Sequence, residues 1–192
     1  NYDEVLAAAR KLNAAPPQGV GIGARRITIS TVGIVPGIRR LAGENLQLEL
    51  AVSLHAPDED TRRKLIPAAH CYSIQEILAA VEEYFNRARR LVTYEYALLA
   101  GVNDSLDQAK QLARLLQTHP CKVNLIPFNS VPGTEFKRSD PKAQERFKRI
   151  LDEARIPTTI RVSKGRQIDA ACGQLRRRIL ANDTTKKNGS CS

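Results

Sequence analysis

The sequence predicts an α/β fold, and within that class a partial (β/α) barrel. Short β-rich runs alternate with helical segments, which is typical of a parallel sheet connected by crossover helices. Such crossovers are right-handed by strong preference, so the sheet curls towards a barrel or winds on both faces. A closed eight-unit barrel needs about 200–250 residues or more. This chain has 192 residues and roughly five predicted strands, which form an incomplete barrel.

The first half of the chain begins with a predicted helix over 3–12. A strand over 26–31, a helical turn near 35–41 and a strand over 48–55 follow. Asp58 then lies where the N-cap of a short helix ending before Pro67 is expected. Ser73 and Glu76 have the spacing of a capping box. They predict a helix to about residue 89 whose core-facing side is formed by Ile74, Ile77, Leu78, Val81 and Phe85.

The second half continues the alternation. A strand over 91–99 leads into a loop over 101–104 and a helix over 105–117. The strand over 122–128 ends in a loop over 129–133. Asp140 and Pro141 predict the start of a helix that runs to about residue 154, because proline is well tolerated at the first helical position. A last strand over 158–162 and a terminal helix over 169–180 complete the predicted order.

The charge of the chain favours a polyanionic partner. Its 30 basic and 20 acidic residues give a net charge of +10. The last 32 positions, 161–192, hold eight basic and two acidic residues and so account for +6 of that total. Nucleic acid is the favoured interpretation of this basic region, and a solvated tail is the alternative. No apolar run approaches the ~18–20 residues that a membrane span requires, so we expect no membrane partner.

The cysteines and histidines predict no metal site. The four cysteines are spread along the chain without a CxxC pair, and the three histidines lack metal-ligand spacing. With no secretory signal, a reduced cytoplasm is the expected location. The chain starts at Asn1 and contains no methionine, which favours a piece of a longer protein.

Polar residues lie at the carboxyl ends of several predicted strands, at the edge where parallel α/β folds collect their functional groups. Ser30, the run Ser53-Leu54-His55 and Asn129 occupy these positions. They suit a polar ligand with an amino-acid or ribose portion, although such residues also terminate strands for structural reasons. Glu95, within a strand, faces either the barrel interior or solvent.

Cys172 is the one cysteine whose surroundings suggest chemistry. It lies between Ala170-Ala171 and Gly173, and small neighbours allow close approach by a bulky group. Lys164 and Arg166 favour the thiolate, whereas Asp169 opposes it. The alternative is a small buried apolar side chain.

Five motifs occur together in one order along the chain. They are ITISTVGIVP at 27–36, LAVSLHAPD at 50–58, LLAGVND at 98–104, CKVNLIPFN at 121–129 and GRQIDAACGQL at 165–175. In this combination the sequence, from Asn1 to about Leu175, resembles the bacterial radical S-adenosyl-methionine (SAM) methyltransferases. These enzymes methylate carbon 2 of adenine in 23S ribosomal RNA and in transfer RNA. The resemblance implies a catalytic-barrel portion over 1–175 and a basic extension over 176–192.

The resemblance also implies roles for particular residues. It assigns SAM contacts to Ser30, to Ser53-Leu54-His55 and to Asn129, and it assigns Cys172 as the cysteine that carries the methyl group. The implied reaction has two stages. Cys172 first takes a methyl group from one SAM molecule, and a radical made from a second SAM at a four-iron four-sulfur cluster, with an external electron donor, then drives methyl transfer to the ring.

The sequence departs from the family pattern in one respect. The family's CxxxCxxC cluster motif and its Gly-Glu-Pro motif, both expected upstream, are absent from these 192 residues. We therefore expect a barrel truncated at its N-terminal side that has no cluster, no turnover and, because of an unpaired sheet edge, marginal stability. Three alternatives remain: a carbon-8 adenine methyltransferase of the same family, a non-catalytic RNA- or cofactor-binding module, and an unrelated hydrolase using His55.

Overall fold

Five parallel strands lie side by side in the order in which they occur along the chain. They belong to a computed structural model that describes residues 1–129 and 134–161. The strands are β1 (Thr28–Thr31), β2 (Glu49–Ser53), β3 (Val92–Leu98), β4 (Cys121–Pro127) and β5 (Thr158–Ile160). All four neighbouring pairs are parallel, so the carboxyl ends of the strands meet at one edge of the sheet.

Six α-helices accompany the sheet within the described residues. They are α1 (Tyr2–Asn13), α2 (Val35–Ala42), α3 (Glu59–Leu65), α4 (Ile74–Ala88), α5 (Leu106–Leu116) and α6 (Pro141–Glu153). None of the helices in this part of the chain is long and apolar enough to cross a membrane. The alternation of strands and helices confirms the predicted α/β class and its parallel sheet.

Local capping signals place the helix starts where the sequence predicted them. The Asp58 side chain accepts a hydrogen bond from the Thr61 amide, and Asp140 accepts from the amides of the first turn of α6. Ser73 and Glu76 form the predicted capping box, in which each side chain accepts from the other residue's backbone amide. These contacts span three residues or fewer, so the sequence alone specifies them.

The two faces of the sheet have different surroundings. Along β3 and β4, buried residues alternate with half-exposed ones. The buried set, which includes Tyr94, Tyr96, Val123 and Leu125, belongs to the main apolar core together with residues from the helices. The half-exposed set faces the other way. We call that second side the open face; it is defined by Thr93, Glu95, Lys122 and Asn124.

The core-facing side of α4 differs from the prediction at one position. Ile74, Ile77, Leu78 and Val81 are buried as expected. The prediction of Phe85 was wrong, because Phe85 is only half-buried and the neighbouring Tyr84 is fully buried instead. The Tyr84 hydroxyl donates to the Leu48 carbonyl oxygen at 2.6 Å, which satisfies its one polar atom inside the core.

The first two strands are shorter than the sequence suggested. β1 begins at Thr28 rather than 26, and β2 ends at Ser53 rather than 55. The run that follows Ser53 leaves the extended conformation at His55, whose φ is 59°. The predicted terminal helix over 169–180 and the boundary between 175 and 176 lie outside the described residues.

Candidate functional site

Ser30 and Ser53 lie on the same face of the sheet, on adjacent strands. Ser30 is in register with Ala51, and Ala51 precedes Ser53 by two positions on β2. Side chains two residues apart in a strand point to the same side, about 7 Å apart along it. Ser53 is in register with Glu95, which also places it on the open face. The structure therefore brings these two predicted residues onto one surface.

A cleft opens beside Ser30, between β1 and helices α1 and α2. It is lined by side chains of both helices together with Ile29, Ser30, Thr31 and Leu50 of the sheet. Within the described residues β1 has a hydrogen-bonded neighbour, β2, on one side only. β1 is therefore one edge strand of the described sheet, and Ser30 lies on it.

Leu54 follows Ser53 but does not present its side chain to the open face. That side chain is fully buried and belongs to the main apolar core. Its backbone amide donates to the Glu95 carbonyl oxygen at 3.0 Å. Any ligand contact at Leu54 would accordingly use the main chain.

His55 is held by hydrogen bonds from two directions. Its backbone amide donates to the Glu95 carbonyl oxygen at 3.4 Å, and its ring atom Nδ1 accepts from the Ala97 amide at 3.1 Å. A ring nitrogen that accepts a hydrogen bond carries no proton, so the proton of the neutral ring lies on Nε2. Burial, followed by the positive charge of Arg62, lowers the pKa of His55 to about 4, against the opposing effect of a hydrogen bond with the Glu95 backbone. The ring is neutral near pH 7 and has one donor, Nε2–H.

Asn103 is a residue of this site that the sequence analysis did not single out. Its side chain is fully buried and ties the end of β2 to the end of β3. Nδ2 donates to the carbonyl oxygens of His55 at 2.8 Å and Ala97 at 2.7 Å, while Oδ1 accepts from the Leu99 amide at 2.8 Å. The only sequence signal was its place in the motif LLAGVND, in the loop that follows β3.

A row of hydrogen-bonded polar side chains crosses the open face in register with Ser53. Asn124 Nδ2 donates to Glu95 Oε2 at 2.8 Å, and the Thr159 hydroxyl donates to Asn124 Oδ1 at 3.1 Å. Glu95 therefore lies half-buried on the open face, within a row of hydrogen-bonded side chains. Burial raises the pKa of Glu95, against the opposing effects of the Asn124 hydrogen bond and Arg161.

Arg62 is a second residue that sequence reasoning missed. It is fully buried and donates from Nη2 to the Val32 carbonyl oxygen at 2.8 Å and from Nη1 to the Tyr72 carbonyl oxygen at 3.2 Å. Burial lowers its pKa, while neighbouring Glu59 favours the charged form. Arg62 thus fixes the loop that follows β1 and adds the positive charge that acts on His55.

Asn129 lies beyond the end of β4, two strands away from His55. Its side-chain oxygen accepts from Arg138 Nη1 at 3.1 Å, and the preceding Phe128 amide donates to the Leu98 carbonyl oxygen at 3.3 Å. Asn129 is therefore at the same carboxyl edge as His55, separated from it by β3. Cys172, the predicted methyl carrier, lies outside the described residues.

Residues 1–129 and 134–161 contain no group of three or more His, Cys, Asp or Glu side chains that could hold a metal ion. Two cysteines lie in these ranges: Cys71 is exposed and Cys121 is buried. Burial raises the pKa of the Cys121 thiol to about 12. Cys121 is thus a core residue without nucleophilic character near pH 7.

Comparison with known proteins is consistent with this geometry. No family model matches the chain. Over 179 residues it is 52% identical to a protein of Symbiobacterium thermophilum named "Probable dual-specificity RNA methyltransferase RlmN", covering 93% of this chain and 48% of that protein. A Clostridium tetani protein of the same name is 48% identical over 184 residues, covering 96% and 52%. A Nitrosopumilus maritimus protein named "Ribosomal RNA large subunit methyltransferase N" is 48% identical over 180 residues, covering 94% and 50%.

Two solved structures are similar. The crystal structure of a radical SAM methyltransferase from Sphaerobacter thermophilus has a TM-score of 0.86 and 48% identity, covering 91% of this chain and 50% of that one. A domain of pyruvate-formate lyase-activating enzyme from Bacteroides vulgatus has a TM-score of 0.53, with 70% and 80% coverage. At 17% identity, this second likeness shows the fold alone.

The parallel sheet and these similarities show that the chain is similar, in sequence and in fold, to a radical SAM methyltransferase. The relatives that it matches at 48–52% identity are named "Probable dual-specificity RNA methyltransferase RlmN" or "Ribosomal RNA large subunit methyltransferase N". The resemblance inferred from the five sequence motifs is thereby confirmed. The chain spans about half the length of the curated relatives it matches.

Proposed function

We propose that this chain is the carboxyl-terminal part of the catalytic barrel of an RNA methyltransferase that adds a methyl group to carbon 2 of adenine in 23S ribosomal RNA and transfer RNA. The observation that carries the proposal is the position of Ser30 and Ser53 on adjacent parallel strands, with His55 two residues beyond the carboxyl end of the second strand. The names of the relatives indicate RNA as the substrate and methyl transfer as the reaction.

The described residues fit SAM as the methyl donor. The hydroxyls of Ser30 and Ser53 suit the ligand's ribose or amino-acid portion, and the neutral His55 ring offers a hydrogen-bond donor without a charge that would repel the sulfonium. Leu54 contributes through its main chain. Asn129, which is separated from His55 by β3, contributes its side-chain amide to the proposed SAM site. When bound, SAM supplies a methyl group activated by its positively charged sulfur.

Cys172 is proposed as the first acceptor of that methyl group. Its thiolate attacks the methyl carbon, a new sulfur–carbon bond forms, and the bond between the methyl group and the sulfonium breaks, with S-adenosyl-homocysteine as the leaving group. Lys164 and Arg166, nearby in sequence, favour the thiolate. Cys71 and Cys121 have no such role in the proposal.

The family also implies a four-iron four-sulfur cluster and an electron donor. The described residues do not fit a cluster, because they contain no group of side chains that could hold a metal ion. The CxxxCxxC motif of the family has no counterpart in the 192 residues. The proposal therefore assigns no step of the cluster chemistry to a residue of this chain.

The charge of the chain supports an RNA substrate. A net charge of +10, with +6 in the last 32 positions, favours contact with phosphates. The widely spaced cysteines suit the reduced cytoplasm, which is also the compartment of ribosomal and transfer RNA in bacteria.

Nucleoside mass spectrometry of a strain lacking the gene for this chain tests the proposal. We expect 2-methyladenosine to disappear from 23S ribosomal RNA and transfer RNA, and to return when the gene is restored. Cys172→Ala should fail to restore it, whereas Cys71→Ala, which changes an exposed cysteine, should succeed. Loss of 8-methyladenosine instead would favour the carbon-8 alternative, and unchanged levels of both nucleosides would overturn the proposal.

A further inference from the structure

His55 adopts a backbone conformation that needs an external restraint. Its φ of 59° lies in the left-handed region, which a residue with a Cβ atom enters at a cost of about 1–2 kcal/mol. Asn103 provides this restraint, because its Nδ2 donates to the His55 carbonyl oxygen at 2.8 Å. The Glu95 carbonyl oxygen holds the amide on the other side of the same residue.

Asn103 is suited to this restraint by its full set of partners. Its two side-chain donor bonds reach the His55 and Ala97 carbonyl oxygens, and its side-chain oxygen accepts from Leu99. The Tyr96 hydroxyl donates to the Asn103 carbonyl oxygen at 2.8 Å. This pattern requires an amide with its nitrogen towards the two carbonyl oxygens. A carboxylate of the same shape would place negative charge against both of them.

The same contacts determine which nitrogen of the His55 ring carries the proton. Asn103 joins the main chain at His55 to the main chain at Ala97, and the Ala97 amide donates to His55 Nδ1 at 3.1 Å. As long as these two segments stay in place, Nδ1 accepts and Nε2 keeps the proton. If they move apart, either ring nitrogen can carry it.

We infer that Asn103 is a positioning residue that holds His55 with its Nε2–H directed away from the Ala97 amide as a fixed neutral donor. The ligand group that this donor recognises is a hydrogen-bond acceptor, and its identification as part of SAM rests on the proposed function. Asn103 itself contacts no ligand in this account; it acts through His55.

Nitrogen-15 NMR of the histidine rings tests the inference in the chain itself, without any ligand. Ring spectra of the wild type should show His55 as a single Nε2–H tautomer, with the resonances assigned by His70→Gln and His119→Gln. Asn103→Asp should abolish this single-tautomer signature. Asp104→Asn is the matched control, because Asp104 lies in the same turn but contacts Gly101 and Ser139; it should keep the wild-type tautomer.

A milder variant keeps the test decisive if Asn103→Asp does not fold. Tyr96→Phe removes only the hydroxyl that donates to the Asn103 carbonyl oxygen, and it should shift the His55 tautomer towards a mixture. A wild-type ring with its proton on Nδ1 would overturn the inference. So would a folded Asn103→Asp or Tyr96→Phe protein with an unchanged His55 signature.

Addition of SAM to the same samples separates this inference from the proposed function. A shift of the His55 Nε2–H signal on SAM addition supports both. A fixed tautomer that depends on Asn103 but does not respond to SAM supports the positioning role and counts against SAM as the ligand of this site.

Discussion

The Arg62 guanidinium, fully buried on α3, donates to the carbonyl oxygen of Val32, thirty residues earlier in the chain, at 2.8 Å. This bond ties the short helix after β2 to the loop after β1. The positive charge of Arg62 also acts on His55 and lowers the pKa of its imidazole ring. One buried cation therefore connects the fold to the candidate site.

Removal of this cation should destabilise the protein strongly. Arg62→Ala leaves the Val32 and Tyr72 carbonyl oxygens without these donors and Glu59 without a nearby positive charge. The loss of unfolding free energy should be roughly 3–5 kcal/mol, measured by urea denaturation. The matched control is Arg63→Ala, because Arg63 is exposed and meets Asp60 only at the surface; its change should stay within about 0.5 kcal/mol. Equal losses in the two variants would contradict this role for Arg62.

Two buried tyrosines of the core should respond differently to loss of the hydroxyl. Tyr84→Phe removes a 2.6 Å hydrogen bond to the Leu48 carbonyl oxygen and should cost about 1 kcal/mol of unfolding free energy. Tyr94 is equally buried, but its hydroxyl has no partner among the described residues. Tyr94→Phe should therefore be neutral or stabilising. A comparison of urea midpoints for the pair would reject this account if Tyr94→Phe were the more damaging change.

Three glycines distinguish steric crowding from backbone strain. Gly33 has a φ of +93°, and an added Cβ would lie 2.5 Å from Ile77 Cδ1. Gly101 has a φ of +70° but open space around it, and Gly23 has open space without a positive φ. Thermal melts should rank the alanine variants in that order: Gly33→Ala is the most destabilised, Gly101→Ala loses about 1 kcal/mol, and Gly23→Ala is near neutral. Similar melting temperatures for Gly33→Ala and Gly101→Ala would show that the loop after β1 accommodates the added Cβ atom without a further loss of stability.

His55 should make stability fall in acid. Its pKa is about 4 in the folded protein, below its ordinary value of 6.5. The folded state therefore disfavours the protonated ring, and the associated stability is present above 6.5 and lost as the pH falls towards 4. His55→Asn removes the titrating ring, and asparagine tolerates the left-handed conformation. The unfolding free energy of the wild type should decline relative to this variant across that range, and parallel curves would exclude the effect.

The sequence allowed prediction of the elements whose determinants are local. The capping box joins Ser73 to Glu76, three positions apart, and the polar residues at the carboxyl ends of β1 and β2 follow apolar residues directly. Arg62 could not be foreseen as a core residue, because a charged residue on a short helix is ordinarily exposed and its partner is thirty positions away. The contact of Asn103 with His55 spans 48 positions, and only the parallel pairing of β2 with β3 brings the two together.

The strand order has a consequence for how the sheet can be built during synthesis. Each described strand after β1 pairs with the strand that precedes it in the chain, so its partner has already left the ribosome when the strand itself emerges. No strand of the described sheet must wait for a distant segment, and no pairing has to be broken to admit a later one. The loops to be closed are those of single crossovers, which keeps the entropy of closure small. The polypeptide can add one strand and helix at a time to a growing edge, in the direction of translation.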